Sequence, residues 1–328
     1  MRRRKFIALA GAAAFSTPLV AWAQRTVPVV GFLSIGSPGV FADRVRAFLD
    51  GLKAADYIDG QNVSIEYRWA EFHDERLSEL AADLVQRNVS AIATFAGTPP
   101  ALAAKAATST IPIVVGGLGT DPVEVGLVES LNRPGGNITA VTSLGIELGP
   151  KRLELLSQFI PAAKTVALLV NPTTTSDTAT QVTDVQAAAR RLGLQLHVIR
   201  ASTDREFDDV FASLLQNQVA GLVITPDPFL NSRRQQLGEL TLRHTMPAVF
   251  QFREFVAAGG LLSYGGRLEE GWRLVGVYVG RILKGEKPAD LPVQQPTKIE
   301  LIVNMVTAKV LRLNVPLALL GRADEVIE

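Results

Sequence analysis

Five turns along the chain pair a small polar residue with proline: Ser37-Pro38, Thr98-Pro99, Asp121-Pro122, Asn171-Pro172 and Asp227-Pro228. That pairing is helix-capping chemistry. The polar side chain accepts from a free N–H of the first helical turn, and proline suits the first helical position, where its missing N–H costs nothing. Each turn follows a short apolar run, so each is expected at the carboxyl end of a strand, the edge of a parallel sheet where ligands bind. Helix N-termini gathered there offer unpaired N–H groups and positive dipole ends, each dipole contributing about 0.3–1 kcal/mol toward an anion at an exposed end. A small carboxylate is therefore the expected ligand group. Any one of the five can equally be a cap and nothing more.

Gly97-Thr98-Pro99 is the sharpest case, because Gly97 lets a backbone come close and the Thr98 hydroxyl can donate or accept. Ser34 and Ser37 close the first strand, and Gly116 opens the glycine-rich turn that leads to Asp121. A zwitterionic ligand also needs a partner for its ammonium group. Asp227 is the first candidate and Glu254, in Gln251-Phe252-Arg253-Glu254, the second. Asp227 can instead spend its carboxylate on its own helix. Phe95, Phe252 and Tyr264 can wall a cleft with aromatic faces, although strand aromatics suit a core equally well.

Other chemistry is missing. The three histidines, His73, His197 and His244, have no metal-spaced partners, and no G-x-S-x-G serine is present. Gly116-Gly117-Leu118-Gly119 fails the dinucleotide spacing and no phosphate-loop motif occurs. The chain has no cysteine, which excludes disulfides, thiolate metal sites and an acylated cysteine anchor. No cofactor, no metal and no catalytic residue is expected.

The N-terminus runs from Arg2-Arg3-Arg4-Lys5 through an alanine-rich apolar stretch to Ala21-Trp22-Ala23, the layout of a cleavable export signal over residues 1–23. Arg3-Arg4 followed by Lys5-Phe6-Ile7 fits a twin-arginine signal, and an ordinary Sec signal fits as well. Removing its four basic residues leaves 29 basic against 32 acidic side chains, a net charge of −3. So mild an excess carries no footprint for nucleic acid or anionic lipid. A free exported monomer in the periplasm is expected.

The remaining 305 residues exceed one ordinary core, and their pattern splits into two α/β series. Strand-like runs at Val27–Ser34, Val63–Trp69, Ala91–Phe95 and Ile113–Val115 alternate with helical spacing, as do later runs from Thr139 to Tyr264. Such βα alternation predicts doubly wound parallel sheets. A late helix from Glu269 to Lys284 is expected to return to the first lobe. Lobe 1 then comprises 24–141 with about 266–292, and lobe 2 comprises 142–265 with about 293–328, the placement of 305–328 being open. Three crossing segments, near 141, 265 and 292, would make a hinge.

Five stretches carry a family resemblance: Glu66-Tyr67-Arg68-Trp69-Ala70-Glu71, Glu79-Leu80-Ala81-Ala82-Asp83-Leu84-Val85, Leu131-Asn132-Arg133-Pro134-Gly135-Gly136-Asn137-Ile138-Thr139, the run from Pro288 to Lys298, and Arg322-Ala323-Asp324-Glu325-Val326-Ile327-Glu328. Through them the chain resembles the TrpX-like family of ABC transporter substrate-binding proteins over essentially its whole mature length. The resemblance implies a type I periplasmic binding fold, two lobes with three crossings, and a small-molecule ligand delivered to an ABC permease served by a separate ATPase. It also implies relatives that bind aromatic amino acids. The chain departs from the family pattern at Gly266 and Arg312, where Pro and Gly are expected. A two-lobed carrier of this kind can alternatively report its ligand state to a membrane receptor. A periplasmic enzyme on this scaffold lacks a nucleophile, base or metal set, and a related repressor would need an N-terminal helix-turn-helix.

Overall fold

The computed structural model describes residues 27–143, 145–173, 175–295 and 298–328, so the expected signal at 1–23 lies outside the described residues. The first half of the chain alternates strand and helix: β1 (Val29–Ser34), α1 (Ala42–Ala54), β2 (Ser64–Trp69), α2 (Leu77–Gln86), β3 (Ala91–Phe95), α3 (Thr98–Ala107), β4 (Ile113–Leu118) and β5 (Ile138–Thr142). Among the described residues these strands form a sheet in the order β2-β1-β3-β4-β5, with every neighbouring pair parallel. The strands are apolar on both faces because both faces are covered. Leu33, Ile92 and Val115 meet α2 and α3 through Leu77, Ala81 and Ala101. Val30, Phe32 and Phe95 point to the opposite face, against Phe48 and Leu52 of α1.

The second half begins with α4 (Gly149–Phe159) and continues through β6 (Thr165–Val170), α5 (Thr175–Arg191), β7 (Gln195–Arg200), α6 (Glu206–Gln216) and β8 (Leu222–Ile224). The short helices α7 (Pro228–Ser232) and α8 (Arg234–Arg243) lead to β9 (Ala248–Phe250), α9 (Arg253–Ala257) and β10 (Leu262–Gly266). After α10 (Leu268–Leu283) the chain ends in β11 (Ile299–Asn304), α11 (Met305–Val310), α12 (Leu317–Leu320) and β12 (Glu325–Ile327). The second sheet runs β12-β11-β10-β9-β8-β6-β7. Its one antiparallel junction among the described residues joins β10 to β11. The segment 305–328 thus packs with this second sheet, β12 pairing parallel to β11. Arg312 sits there at φ 54°, a left-handed conformation that glycine adopts without penalty and that would suit the Gly expected at that position.

Helix α10 follows the second sheet in sequence but packs on the first. Its Gly276 and the Gly51 of α1 let the two helices touch along their backbones. A Cβ at Gly276 would lie 2.1 Å from the Phe48 carbonyl oxygen, and one at Gly51 would lie 1.9 Å from that of Arg273. The approach seats Trp272 fully inside the aromatic core, stacked on Phe95 at 4.0 Å and on Phe41 at 5.7 Å. Burying such a side chain contributes about 1.5–3 kcal/mol relative to leaving it exposed.

Three segments therefore pass between the sheets: β5 to α4, β10 to α10, and the chain before β11. They are tied together rather than independent. Val141 of β5 pairs parallel with Gln294, which receives the Thr142 N–H at 2.9 Å and donates its own to Ala140 at 3.0 Å. Arg152 of α4, fully buried, donates from Nη2 to the Gly145 carbonyl at 2.6 Å and from Nε to that of Tyr264 at 2.9 Å. Its guanidinium joins the first passage to the second. Burial pushes the Arg152 guanidinium down to about 9, the direction expected for a charge removed from water.

Candidate functional site

The carboxyl ends of the two sheets face each other, and the tightest meeting is between helix N-termini. Gly97, the N-cap of α3 at φ 111°, faces the start of α7. A Cβ at Gly97 would lie 3.9 Å from Cγ of Pro228. Asp227 stands at that joint. It caps α7, its Oδ1 accepting from the Leu230 N–H at 3.0 Å, and both its oxygens accept from Asn171 Nδ2 at 3.3 Å. Asn171 in turn accepts from the Thr173 N–H at 3.0 Å and hydroxyl at 2.8 Å through Oδ1. On the lobe 1 side, the buried Thr98 hydroxyl lies 3.1 Å from that of Thr120.

Around this joint is a small cavity of about 20 Å³, room for about one water molecule with the lobes as they stand. Lobe 1 contributes Ile35, Phe72, Asp74, Ala96 and Pro99, and lobe 2 contributes Asn171, Thr173, Asp227, Pro228 and Phe229. Its described lining holds the carboxylates of Asp74 and Asp227 and no basic side chain. The positive dipole end of α3 begins at Gly97, although Pro99 and Pro100 leave its first turn poor in N–H donors. A second cavity, of about 170 Å³, lies nearer the three passages and draws on all of them through Ser143, Arg267 and Gln295. Its walls include Val141, Phe252, Leu268, Trp272 and Leu274 and are mainly apolar. Gly117, which lines the larger cavity, backs onto Ala96, which lines the smaller; a Cβ at Gly117 would lie 3.6 Å from the Ala96 nitrogen.

The capping expectation holds at one of the five prolyl turns. Asp227 is an N-cap as read from the sequence. Thr98 is not, because Gly97 takes the cap position and Thr98 enters the helix. Ser37 accepts the Phe41 N–H on its backbone oxygen at 3.3 Å, and α1 starts later without a side-chain cap. The Asp121 Oδ1 accepts from Val123 N–H at 2.7 Å in a local turn that no helix follows. Asn171 makes a similar turn before α5. Asp and Asn before proline serve such turns as readily as helix caps, and the local sequence does not separate the two.

The other candidates divide. Phe252, nearly buried, reaches the larger cavity. Phe95 does not wall the cleft but lies fully buried in the lobe 1 core under Trp272. Gly116 is likewise internal, its α-carbon pressed toward α10 so that a Cβ would meet Val275 at 2.6 Å. The Ser34 hydroxyl is buried and accepts from Gly36 N–H at 3.2 Å. Tyr264 packs half-buried in the lobe 2 core, and Glu254 lines a separate charged groove with Arg253, Arg267 and Glu300. Phe72 and Asp74, which do line the cleft, carry no sequence signal of it. Neither does Arg44, whose buried guanidinium sits 4.6 Å above the Phe41 ring and is pushed down to about 10, chiefly by burial.

Two doubly wound lobes, three passages and a cleft at the carboxyl ends of both sheets define a two-lobed binding protein of the type I periplasmic class. The chain belongs to the ABC transporter substrate binding protein family, whose model matches residues 27–327. This is a solute-binding family, not a family of enzymes. A "Tyrosine-binding protein" of Clostridioides difficile is 28% identical over 267 residues, covering 81% of this chain and 75% of the relative. The fold is that of an ABC domain from Streptococcus pneumonia solved with L-Trp, 24% identical, with a TM-score of 0.79 over 92% of this chain and 100% of that one. A conserved domain protein from Vibrio cholerae matches with a TM-score of 0.82 at 24% identity, over 92% and 100% of the two chains. Among the described residues no helix is long and apolar enough to cross a membrane.

Proposed function

We propose that this chain is the periplasmic binding component of an ABC importer, which takes an amino acid with an aromatic side chain into the interlobe cleft and hands it to a separate permease and ATPase. The observation that carries this reading is the joint between the N-termini of α3 and α7, with the Asp227 carboxylate between them. An α-amino acid carries the two charges that this joint could hold once the lobes part. Its ammonium group goes toward Asp227, and its carboxylate goes toward the N-terminal end of α3. The apolar lining beyond, Phe72 and Phe229 on one side and Phe252 and Trp272 on the other, suits a ring. The relatives named for tyrosine and for L-Trp support the same ligand class.

A ligand that touches both lobes favours their closed arrangement by its differential affinity, and the closed shape is what a permease can read. The test is a thermal-shift screen of the twenty amino acids, aromatic acids and dicarboxylates. A ligand at 100 times its Kd adds about 2.7 kcal/mol of stability, a rise of several degrees. The reading requires that shift from L-tyrosine, L-tryptophan or L-phenylalanine. A screen in which only non-amino acids stabilise the protein refutes it.

A further inference from the structure

The turn after β2 holds two consecutive non-glycine residues in the left-handed region, Glu71 at φ 56° and Phe72 at φ 66°. For a bulky residue this is a genuine outlier, and it persists only where the surroundings enforce it. The enforcement is visible. Three successive N–H groups, of Ala70, Glu71 and Phe72, donate to the carbonyls of Ser34, Gly36 and Ile35 at 2.9, 3.0 and 2.6 Å. The strained turn carries the Phe72 ring off its own lobe. The ring meets Phe229 of lobe 2 edge to face, with centroids 6.3 Å apart and planes at 82°. It packs against the hydrophobic clusters of both lobes. Phe229 itself is anchored, stacked on Phe207 at 5.9 Å and covered by the Arg233 guanidinium at 5.2 Å. Both rings line the cavity that contains Asp227.

We propose that Phe72 and Phe229 form an aromatic clasp between the lobes, which closes over the Asp227 cavity and sets the size of the apolar group a ligand can place there. Phe72 is then a specificity-determining residue, and its backbone strain is retained because the ring must reach across the cleft. This rests on the cleft being the ligand site, but the clasp itself can be tested without any ligand.

The chain has no cysteine, so a pair introduced at the exposed Glu79 and Asp208 reports the interlobe distance by spin labelling without interference. Distances and urea midpoints are measured for the parent, Phe72→Gly and Phe72→Leu, and titrations with L-tryptophan and L-tyrosine follow. Both variants should shift the distance distribution of the ligand-free protein to longer values. The urea midpoints show that both variants remain folded while the distances are read. Affinity for the amino acid that binds the parent should fall about three- to tenfold in both, the range of one aromatic contact. Unchanged distances in Phe72→Gly overturn the clasp. If the parent binds neither amino acid, the functional reading fails while the distances still decide the clasp.

Discussion

Asp227 does two things at once, and two substitutions pull them apart. Its Oδ1 caps α7 through the Leu230 N–H at 3.0 Å, and both oxygens hold Asn171 Nδ2 at 3.3 Å. Asparagine ranks with aspartate as an N-cap. Asp227→Asn therefore keeps the cap through its remaining oxygen but loses one acceptor for Asn171, and it should cost about 1 kcal/mol of unfolding stability, less than removal of the whole group. What it removes is the charge that the proposed site would offer to a ligand ammonium. A hydrogen bond to a charged group contributes about 1.5–3 kcal/mol, so Kd should rise about ten- to 150-fold. Asp227→Ala should show the same loss of affinity and, in addition, about 2–4 kcal/mol of lost stability. That figure combines about 1 kcal/mol for the cap with about 1–3 kcal/mol for buried donors left unpaired. Isothermal titration with L-tryptophan and L-tyrosine gives the affinities, and urea unfolding gives the stabilities. Binding by Asp227→Asn within twofold of the parent would leave Asp227 as a cap alone. An Asp227→Asn protein as unstable as Asp227→Ala would refute the capping argument instead.

Two further outcomes follow from packing and charge. Gly276→Ala must push α10 off α1, since its Cβ would lie 2.1 Å from the Phe48 carbonyl oxygen, so it should cost at least the 1–3 kcal/mol or so of an overpacked core, whereas Gly271→Ala, with only Val141 at 3.9 Å, should be neutral or stabilising in the same thermal melts. Arg267 first, and Lys298 with it, hold the nearly buried Glu300 carboxyl below the usual glutamate range. A lowered acid contributes stability that is present at neutral pH and lost as pH falls from the ordinary glutamate value of about 4.3 through the folded one. The urea-midpoint gap between the parent and Glu300→Gln should therefore shrink as pH falls from about 5 to about 3; a gap independent of pH would show that the carboxylate is not what Arg267 and Lys298 stabilise.

What could be read from the sequence was set by how local its cause is. Strands such as Ala91–Phe95 and Thr165–Val170 are continuous apolar runs bounded by turn residues, and burial on both faces of a parallel sheet demands just that pattern. Ile299–Asn304 carries Glu300 within it and pairs antiparallel with β10 after a long excursion through α10, and no local feature announces that return. The cleft was legible as an edge but not as a surface. Asp227 and Asn171 belong to it because they end strands of one sheet, while Phe95, also at a strand end, turns by the two-residue period onto the face that α10 covers. Phe72 lay beyond any local rule, since its conformation contradicts its own preference and is imposed by carbonyls at the end of a different strand. Sequence preferences report where the chain is at ease. Here the residue that bridges the lobes is held where it is not at ease, and for that reason the contact had to be seen in three dimensions before it could be weighed.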